Sequence, residues 1–303
     1  SPHVHPSRCL ARNQRYALHL LTMAPTRTGK GVGTIIPNLL TLERSILCID
    51  PKGENAIITA KARDRFGPVH ILDPFGVTGL PSSAFNPLGR LDPEHPDAME
   101  DANALAEAIV QDAAGETGEA HWNEEAKALL SGLILQIAAA EPSERRNLST
   151  LREYLTLAPD AFSGLLKRMQ QSPEAHGLIA RTANRHLGKA DREAAGVLST
   201  AQRHTHFLDS PRMGAVLSRS DFAFADLKHR PTTIFLVLPP DRLETYARWM
   251  RLMLTAGLTA MAREAQQPRE PVLFLLDEFA SLGRLPAIER AMGLMAGYGL
   301  QLW

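Results

Sequence analysis

The sequence predicts an α/β fold in which a parallel central sheet carries an inserted all-α domain. Three observations predict it. The runs Leu18–Met23, Ser45–Ile49, Val69–Leu72, Thr232–Leu238 and Val272–Leu276 are short and largely unalternating, as strands buried on both faces are. Helix-length stretches separate them, and strand–helix–strand alternation means parallel strands joined by right-handed crossovers. From about Pro93 to Arg212 that alternation stops and helical periodicity runs alone.

Taken in order, residues 1–15 are polar, hold Pro2, Pro6 and three arginines, and form a loosely packed leader. The strand Leu18–Met23 leads through a small-residue loop, 24–31, into a helix over Val32–Leu42, where Pro37 predicts a kink near the helix start. Ser45–Ile49 is the next strand and ends in Asp50-Pro51-Lys52-Gly53-Glu54. A helix over Asn55–Phe66, the strand Val69–Leu72 and the turn Asp73-Pro74-Phe75-Gly76 follow. In the helical block, Asp97–Asp112 places Ala98, Met99, Ala102, Leu105, Ala106 and Ile109 on one face, and Glu124–Ala140 repeats the pattern. Thr150 and Glu153 fit a capping box, and Pro159 suits the first turn of a helix. Glu174–Leu187 and Arg192–Leu208 complete roughly six helices by periodicity. The sheet resumes at Thr232–Leu238; a helix over Leu243–Ala262, the strand Val272–Leu276, a helix over Pro286–Ala296 and a strand beginning at Leu300 close the chain.

Composition narrows the class. The 303 residues suffice for one large domain or two ordinary ones, and 44% hydrophobic content supports a real core. Lys+Arg and Asp+Glu both number 33, so no global basic footprint points to nucleic acid. Charge is nevertheless uneven, because residues 91–125 hold 11 acids and no Lys or Arg. Two cysteines make neither a disulfide framework nor a metal spacing: Cys48 lies in an apolar run and Cys9 in the leader, which suits a reducing compartment. The densest histidine pair, His204 and His206, has no carboxylate or Cys at ligand spacing, so no metal is expected there. No apolar run reaches membrane-spanning length, and neither an initiator Met nor a signal peptide is present, so the sequence reads as a piece of a longer protein.

The chemistry lies at three strand ends. Ala24-Pro25-Thr26-Arg27-Thr28-Gly29-Lys30-Gly31 joins a strand to a helix, an arrangement whose backbone N–H groups and helix N-terminus cradle a phosphate while Lys30 reaches the β- and γ-phosphates of ATP. Ala24 replaces the first glycine of the usual loop, and Gly31 stands where a Ser or Thr would hold Mg²⁺. Alone, the loop also fits an ordinary strand-to-helix turn. Asp277 and Glu278 follow the strand Val272–Leu276, where ligands bind in open α/β sheets. There Asp277 would hold the Mg²⁺ shell, directly or through water, and Glu278 would orient the attacking water. Two solvated acids are the plainer reading of such a pair taken without the Gly-Lys loop. Asp50, Lys52 and Glu54 sit at another strand end, where they suit either a γ-phosphate or intersubunit role or a turn with a solvated ion pair.

Together these motifs resemble the TraG-type coupling proteins of type IV secretion and conjugation systems. The resemblance rests on residues 24–33, on Asp50-Pro51-Lys52-Gly53-Glu54-Asn55, and on Leu276-Asp277-Glu278-Phe279 with the trailing 280–286. Met295-Ala296-Gly297-Tyr298-Gly299, Ser220-Asp221-Phe222 and Pro239-Pro240-Asp241 also fit. It implies a RecA-like P-loop NTPase, with a nucleotide-binding domain formed by 1–92 and 213–303 and an all-α insertion at 93–212. It further implies ATP and Mg²⁺ as cofactors, Lys30, Asp277 and Glu278 as catalytic residues, and a nucleotide contact surface of residues 24–32 with Asp50, Lys52 and Glu54. In such a family Gly31 is tolerated, so Mg²⁺ is held by another hydroxyl, by water or by Asp277.

The implied partners are a relaxase–DNA complex, single-stranded DNA or effector proteins, together with secretion-channel components. The implied setting is a homo-hexamer on the cytoplasmic side of a bacterial inner membrane, completed by an arginine from a neighbouring subunit, for which Arg284 is a candidate. Anchor helices and the segment past the sensor strand are not in this sequence, which implies a monomer with slow turnover. The alternative is a substrate receptor that nucleotide switches without translocation; a small-molecule kinase is more remote because no acceptor pocket or lid is legible.

Overall fold

A computed structural model of the chain describes residues 19–23, 29–110, 119–277, 288–289, 292–293 and 295–303. After a π-helical turn at Gly31–Ile35 come α1 (Ile36–Thr41), β1 (Ile46–Ile49), α2 (Glu54–Arg63) and β2 (Val69–Leu72). The helical block follows as α3 (Ala98–Ile109), α4 (Ala120–Ala140), α5 (Leu148–Leu155), α6 (Pro159–Met169), α7 (Leu178–Leu187), α8 (Asp191–Thr205) and α9 (Pro211–Leu217). The chain then returns through α10 (Asp226–His229), β3 (Thr233–Leu236), α11 (Leu243–Arg263), β4 (Val272–Leu276) and β5 (Leu300–Leu302). α9 runs across the 212/213 boundary drawn from the sequence.

The described strands form one parallel sheet in the order β2-β3-β1-β4-β5. Every residue of β1 and β3 is buried, which is why these runs carry no polar alternation. Alternate residues go to opposite faces. Ile46, Cys48, Phe235, Leu273 and Leu275 pack with Ile35, Leu39 and Ala56, so α1 and α2 cover one face. Leu47, Ile49, Ile234, Leu236 and Phe274 join Trp249, Met250 and Met253 of α11 and the buried side chains of the helical block, which cover the other. That second core is continuous: the helical block and the sheet share it.

Three expectations need correction. Residues 19–23 are not a buried strand. The segment runs beside β5 at the sheet edge, where Leu20 N–H donates to Leu302 O at 2.8 Å and Trp303 Nε1 donates to Thr22 Oγ1 at 2.8 Å. Leu21 and Met23 are 85% and 86% exposed, and among the described residues nothing packs over this edge position; Leu18 lies outside the described residues.

The predicted Val32–Leu42 helix is instead a π-helical turn feeding α1, with Ile36 N–H reaching back to Gly31 O. Pro37 has no N–H to give to Gly33 O and its ring crowds that carbonyl, and the wider turn just before it relieves the clash.

Asn147, not Thr150, caps α5. Its extended backbone lets Oδ1 accept from Ser149 N and Thr150 N at 3.0 and 3.2 Å, while Thr150 is buried and Glu153 pairs with Arg145. The helix expected over Pro286–Ala296 lies largely outside the described residues; Met295–Tyr298 forms a short 3-10 turn before β5.

Candidate functional site

The site grows from the register of the three central strands. Ile49 pairs with Leu276 on one side and Leu236 on the other, so the chain leaves β1 and β4 side by side, at Asp50 and Asp277. Lys30 opens the π-helical turn after Gly29, whose φ of +84° is a left-handed geometry that suits glycine. Gly33 N–H closes onto Gly29 O at 2.7 Å. Lys30 Nζ then lies 2.7 Å from Asp277 Oδ1. Among the described residues, a Cβ built at Gly29, Gly31 or Gly33 would meet no neighbouring element within 4 Å. The loop cation and the strand-end acid therefore meet beside the glycine turn.

Asp50 is 1% exposed, and its Oδ2 accepts the Ala56 N–H at 2.8 Å across the first turn of α2. Burial raises its carboxyl to about 6; the backbone N–H groups of Ala56 and Asn55 oppose that rise, and Asp277 and Glu54 add to it. Gly53 makes this turn possible, with φ +68° and space so tight that a Cβ would come within 2.9 Å of Thr78 Cγ2. Lys52 and Glu54 are exposed on the rim, and among the described residues neither pairs with Lys30 or Asp277. Cys48 sits below, its thiol pushed well up by burial and then by Asp50 and Asp277, which keeps it an inert core group.

Arg63 is the positioning residue that the sequence reading did not single out. The side chain is fully buried in the last turn of α2. Its guanidinium donates to Thr233 Oγ1 at 2.8 Å, Leu39 O at 3.1 Å, Arg44 O at 2.7 Å and also Leu42 O. It thus takes up carbonyls at the C-terminal end of α1 and ties that helix, with Lys30 at its far end, to β3.

The structure brings Lys30 and Asp277 into contact and places Asp50 beside them. It describes Gly29, Gly31 and the exposed Val32 in the turn. Ala24, Pro25, Thr26, Arg27, Thr28, Glu278 and Arg284 lie outside the described residues. For a hydrated Mg²⁺, Asp277 offers a carboxylate at the open side of the loop, whereas Gly31 offers no side-chain oxygen, a donor set that fits a largely water-bound ion. His204 is no metal ligand: its Nε2 lies 3.1 Å from Asn123 Oδ1 and its Nδ1 3.2 Å from Arg248 Nη2. Among the described residues no group of three or more His, Cys, Asp or Glu is placed to hold a metal ion.

A parallel α/β sheet with a Gly-Lys turn facing a strand-end acid defines the P-loop nucleotide-binding class. The chain belongs to the type IV secretory system conjugative DNA transfer family, whose profile matches residues 4–303. It is 31% identical over 306 residues to a conjugal transfer protein TraG of Escherichia coli, covering 94% of this chain and 47% of the relative. It is also 30% identical over 305 residues to protein VirD4 of Agrobacterium fabrum, covering 92% of this chain and 42% of that protein. The chain thus spans about half the length of the curated relatives it matches.

Two solved structures of the bacterial conjugative coupling protein TrwB share the fold. The unbound form lacking its first 70 residues superposes with TM-score 0.69 at 18% identity, over 91% of this chain and 59% of that one. TrwB in complex with ADP and Mg²⁺ gives 0.67 at 19%, over 91% and 61%. Among the described residues no helix is long and apolar enough to cross a membrane.

Proposed function

We propose that this chain is the ATP-hydrolysing core of a type IV secretion coupling protein, which recruits relaxase-bound DNA or effector proteins and helps drive them into the secretion channel. The observation that carries the proposal is the 2.7 Å contact of Lys30 with Asp277 at the sheet edge, in a chain of this family. Lys30 exchanges the Asp277 carboxylate for the β- and γ-phosphates when nucleotide enters, and so frees Asp277 to order the water shell of Mg²⁺. Bound Mg²⁺ supplies charge neutralisation on the transferring phosphoryl group. Glu278 aligns and polarises the attacking water, and the backbone of 29–32 donates N–H groups to phosphate oxygens. Asp50 shapes the floor beside Asp277, while Lys52 and Glu54 at the rim suit a γ-phosphate or neighbouring-subunit contact.

In this reading 1–92 and 213–303 form the nucleotide-binding domain, and the 93–212 insertion contacts cargo. The acids of 91–125 repel phosphate backbones and suit a basic protein surface, which also supports the receptor alternative. The whole protein acts as a hexamer on the cytoplasmic face of the inner membrane, with the neighbour's arginine completing each site. The deciding experiment is phosphate release by the full-length protein, with and without single-stranded DNA, compared between parent and Glu278→Gln. Hydrolysis that DNA stimulates and that this substitution abolishes supports the motor. ATP binding without any turnover in the parent leaves the receptor.

A further inference from the structure

Four arginines of the helical block meet a carboxylate: Arg145, Arg152, Arg185 and Arg203 each sit within 3.0 Å of one. Arg248 and Arg251 do not, although they stand one turn apart on α11 and are both half-buried. Among the described residues Arg248 Nη2 meets His204 Nδ1, at 3.2 Å, and its buried Nε has no hydrogen-bond partner. Arg251 Nε donates to Ala108 O at 3.4 Å, near the end of α3. Among the described residues no carboxylate lies within ion-pair distance of either.

His204 supplies no counter-charge. Burial, then Arg248 and Arg203, push its imidazole down to about 4, so it stays neutral and its Nδ1 accepts the Arg248 proton. Burial lowers Arg248 and takes Arg251 to about 10, the latter with help from Arg248. Half-buried guanidinium groups with no carboxylate partner among the described residues carry a desolvation cost that the hydrogen bonds to His204 and Ala108 offset only in part.

We propose that Arg248 and Arg251 form a second anion site, taking a phosphate group at the seam between the helical block and α11. The seam lies on the sheet face opposite α1, so this site is distinct from the Lys30 loop. Two guanidinium forks a turn apart suit the several oxygens of a phosphate better than a single carboxylate, which one fork already saturates. The phosphate comes either from the backbone of a nucleic-acid strand, as the conjugative DNA transfer description of the family favours, or from free phosphate. The nucleic-acid source rests on the function proposed above; the anion site does not.

The test uses the whole chain with its nucleotide loop saturated by ADP and Mg²⁺. Its probes are inorganic phosphate, read by thermal shift, and a short fluorescent single-stranded oligonucleotide, read by anisotropy across a salt series. Arg248→Gln and Arg251→Gln should each weaken the bound probe about tenfold and lower the magnitude of the oligonucleotide salt slope by about one. Arg251→Lys, which keeps the charge but loses the fork, should fall between and guards against a variant that fails to fold. Arginine-dependent phosphate binding points to the free ion, and a response to oligonucleotide alone points to a strand; either supports the site. Folded Gln variants that bind both probes like the parent, or a parent that binds neither, would overturn it. ADP affinity measured on the parent reports on the Lys30 loop separately, so that reading can fail while this one stands.

Discussion

Lys30 Nζ sits 2.7 Å from Asp277 Oδ1, closing the phosphate loop onto the end of β4. The two side chains are 30% and 17% exposed, so water screens the pair and its share of the stability is small. Its weight is in binding, because any phosphate that reaches Lys30 competes with Asp277. Lys30→Ala should therefore weaken ATP binding by an order of magnitude or more. Asp277→Asn should keep metal-free nucleotide binding and lose the enhancement by Mg²⁺. Fluorescent-nucleotide titrations with and without Mg²⁺ check both. Equal Mg²⁺ enhancement in Asp277→Asn would remove Asp277 from the metal shell.

Asp50 predicts an unusual pH dependence. Burial raises its folded-state value from 3.8 to about 6. The folded protein holds this proton more tightly than the unfolded chain, so the contribution is complete below 3.8 and is lost as pH rises through 6. Asn keeps an oxygen acceptor for the Ala56 N–H and carries no charge. Asp50→Asn should then be more stable than the parent above pH 6, by on the order of 3 kcal/mol, with the difference vanishing towards pH 4. Urea unfolding across that range measures it; a stability difference that stays constant from pH 4 to 7 would rule out the burial argument.

Arg63 should tolerate no substitution, not even the conservative one. Its planar fork serves three carbonyls and the Thr233 hydroxyl at once, with no room for water. Arg63→Lys offers three donors from a single nitrogen and leaves buried carbonyls unmet. The expected cost is about 3 kcal/mol in denaturant unfolding, with weaker ATP binding because α1 loses its tether. Parental stability in Arg63→Lys would show that these hydrogen bonds are individually dispensable.

The sheet was legible because β1, β3 and β4 are buried almost throughout, and a strand in that position is mostly apolar; the exception, Thr233, has its hydroxyl taken up by Arg63. The same signal misleads for residues 19–23: an apolar run does not say whether a strand lies inside a sheet or along its edge, and Leu21 is exposed. That Lys30 and Asp277 come together was legible because a Gly-Lys loop opening a helix and an acid closing a strand are both expected at the carboxyl ends of a parallel sheet. Arg63 was not, since a basic residue in the last turn of a helix ordinarily points to water. Its partners lie 19 to 170 residues away, and only the fold assembles them. Asn147 and Thr150 show a local version of the difficulty, because both patterns satisfy the capping rules and only the backbone geometry of Asn147 decides between them.

Gly132 tests how tightly the helical block is packed. It lies mid-way along α4, where helix propensity alone makes Gly→Ala favourable by about 1 kcal/mol. Against that, a Cβ at 132 would stand 2.4 Å from Thr182 Cβ and 2.2 Å from its Cγ2, on the facing helix α7. The colliding atoms are the branch point of a β-branched residue, which cannot swing away as the end of a long side chain could. Separating the helices instead would open the core around Leu129, Leu133 and Ile179. Overpacking of this kind costs about 1–3 kcal/mol, enough to cancel or outweigh the propensity gain. Gly132→Ala should lower the melting temperature by a few degrees, and Thr182→Gly in the same chain should recover part of the loss. A melting temperature above the parent's would mean that α4 and α7 can part at little cost, and that the close approach of these helices is not what fixes the block.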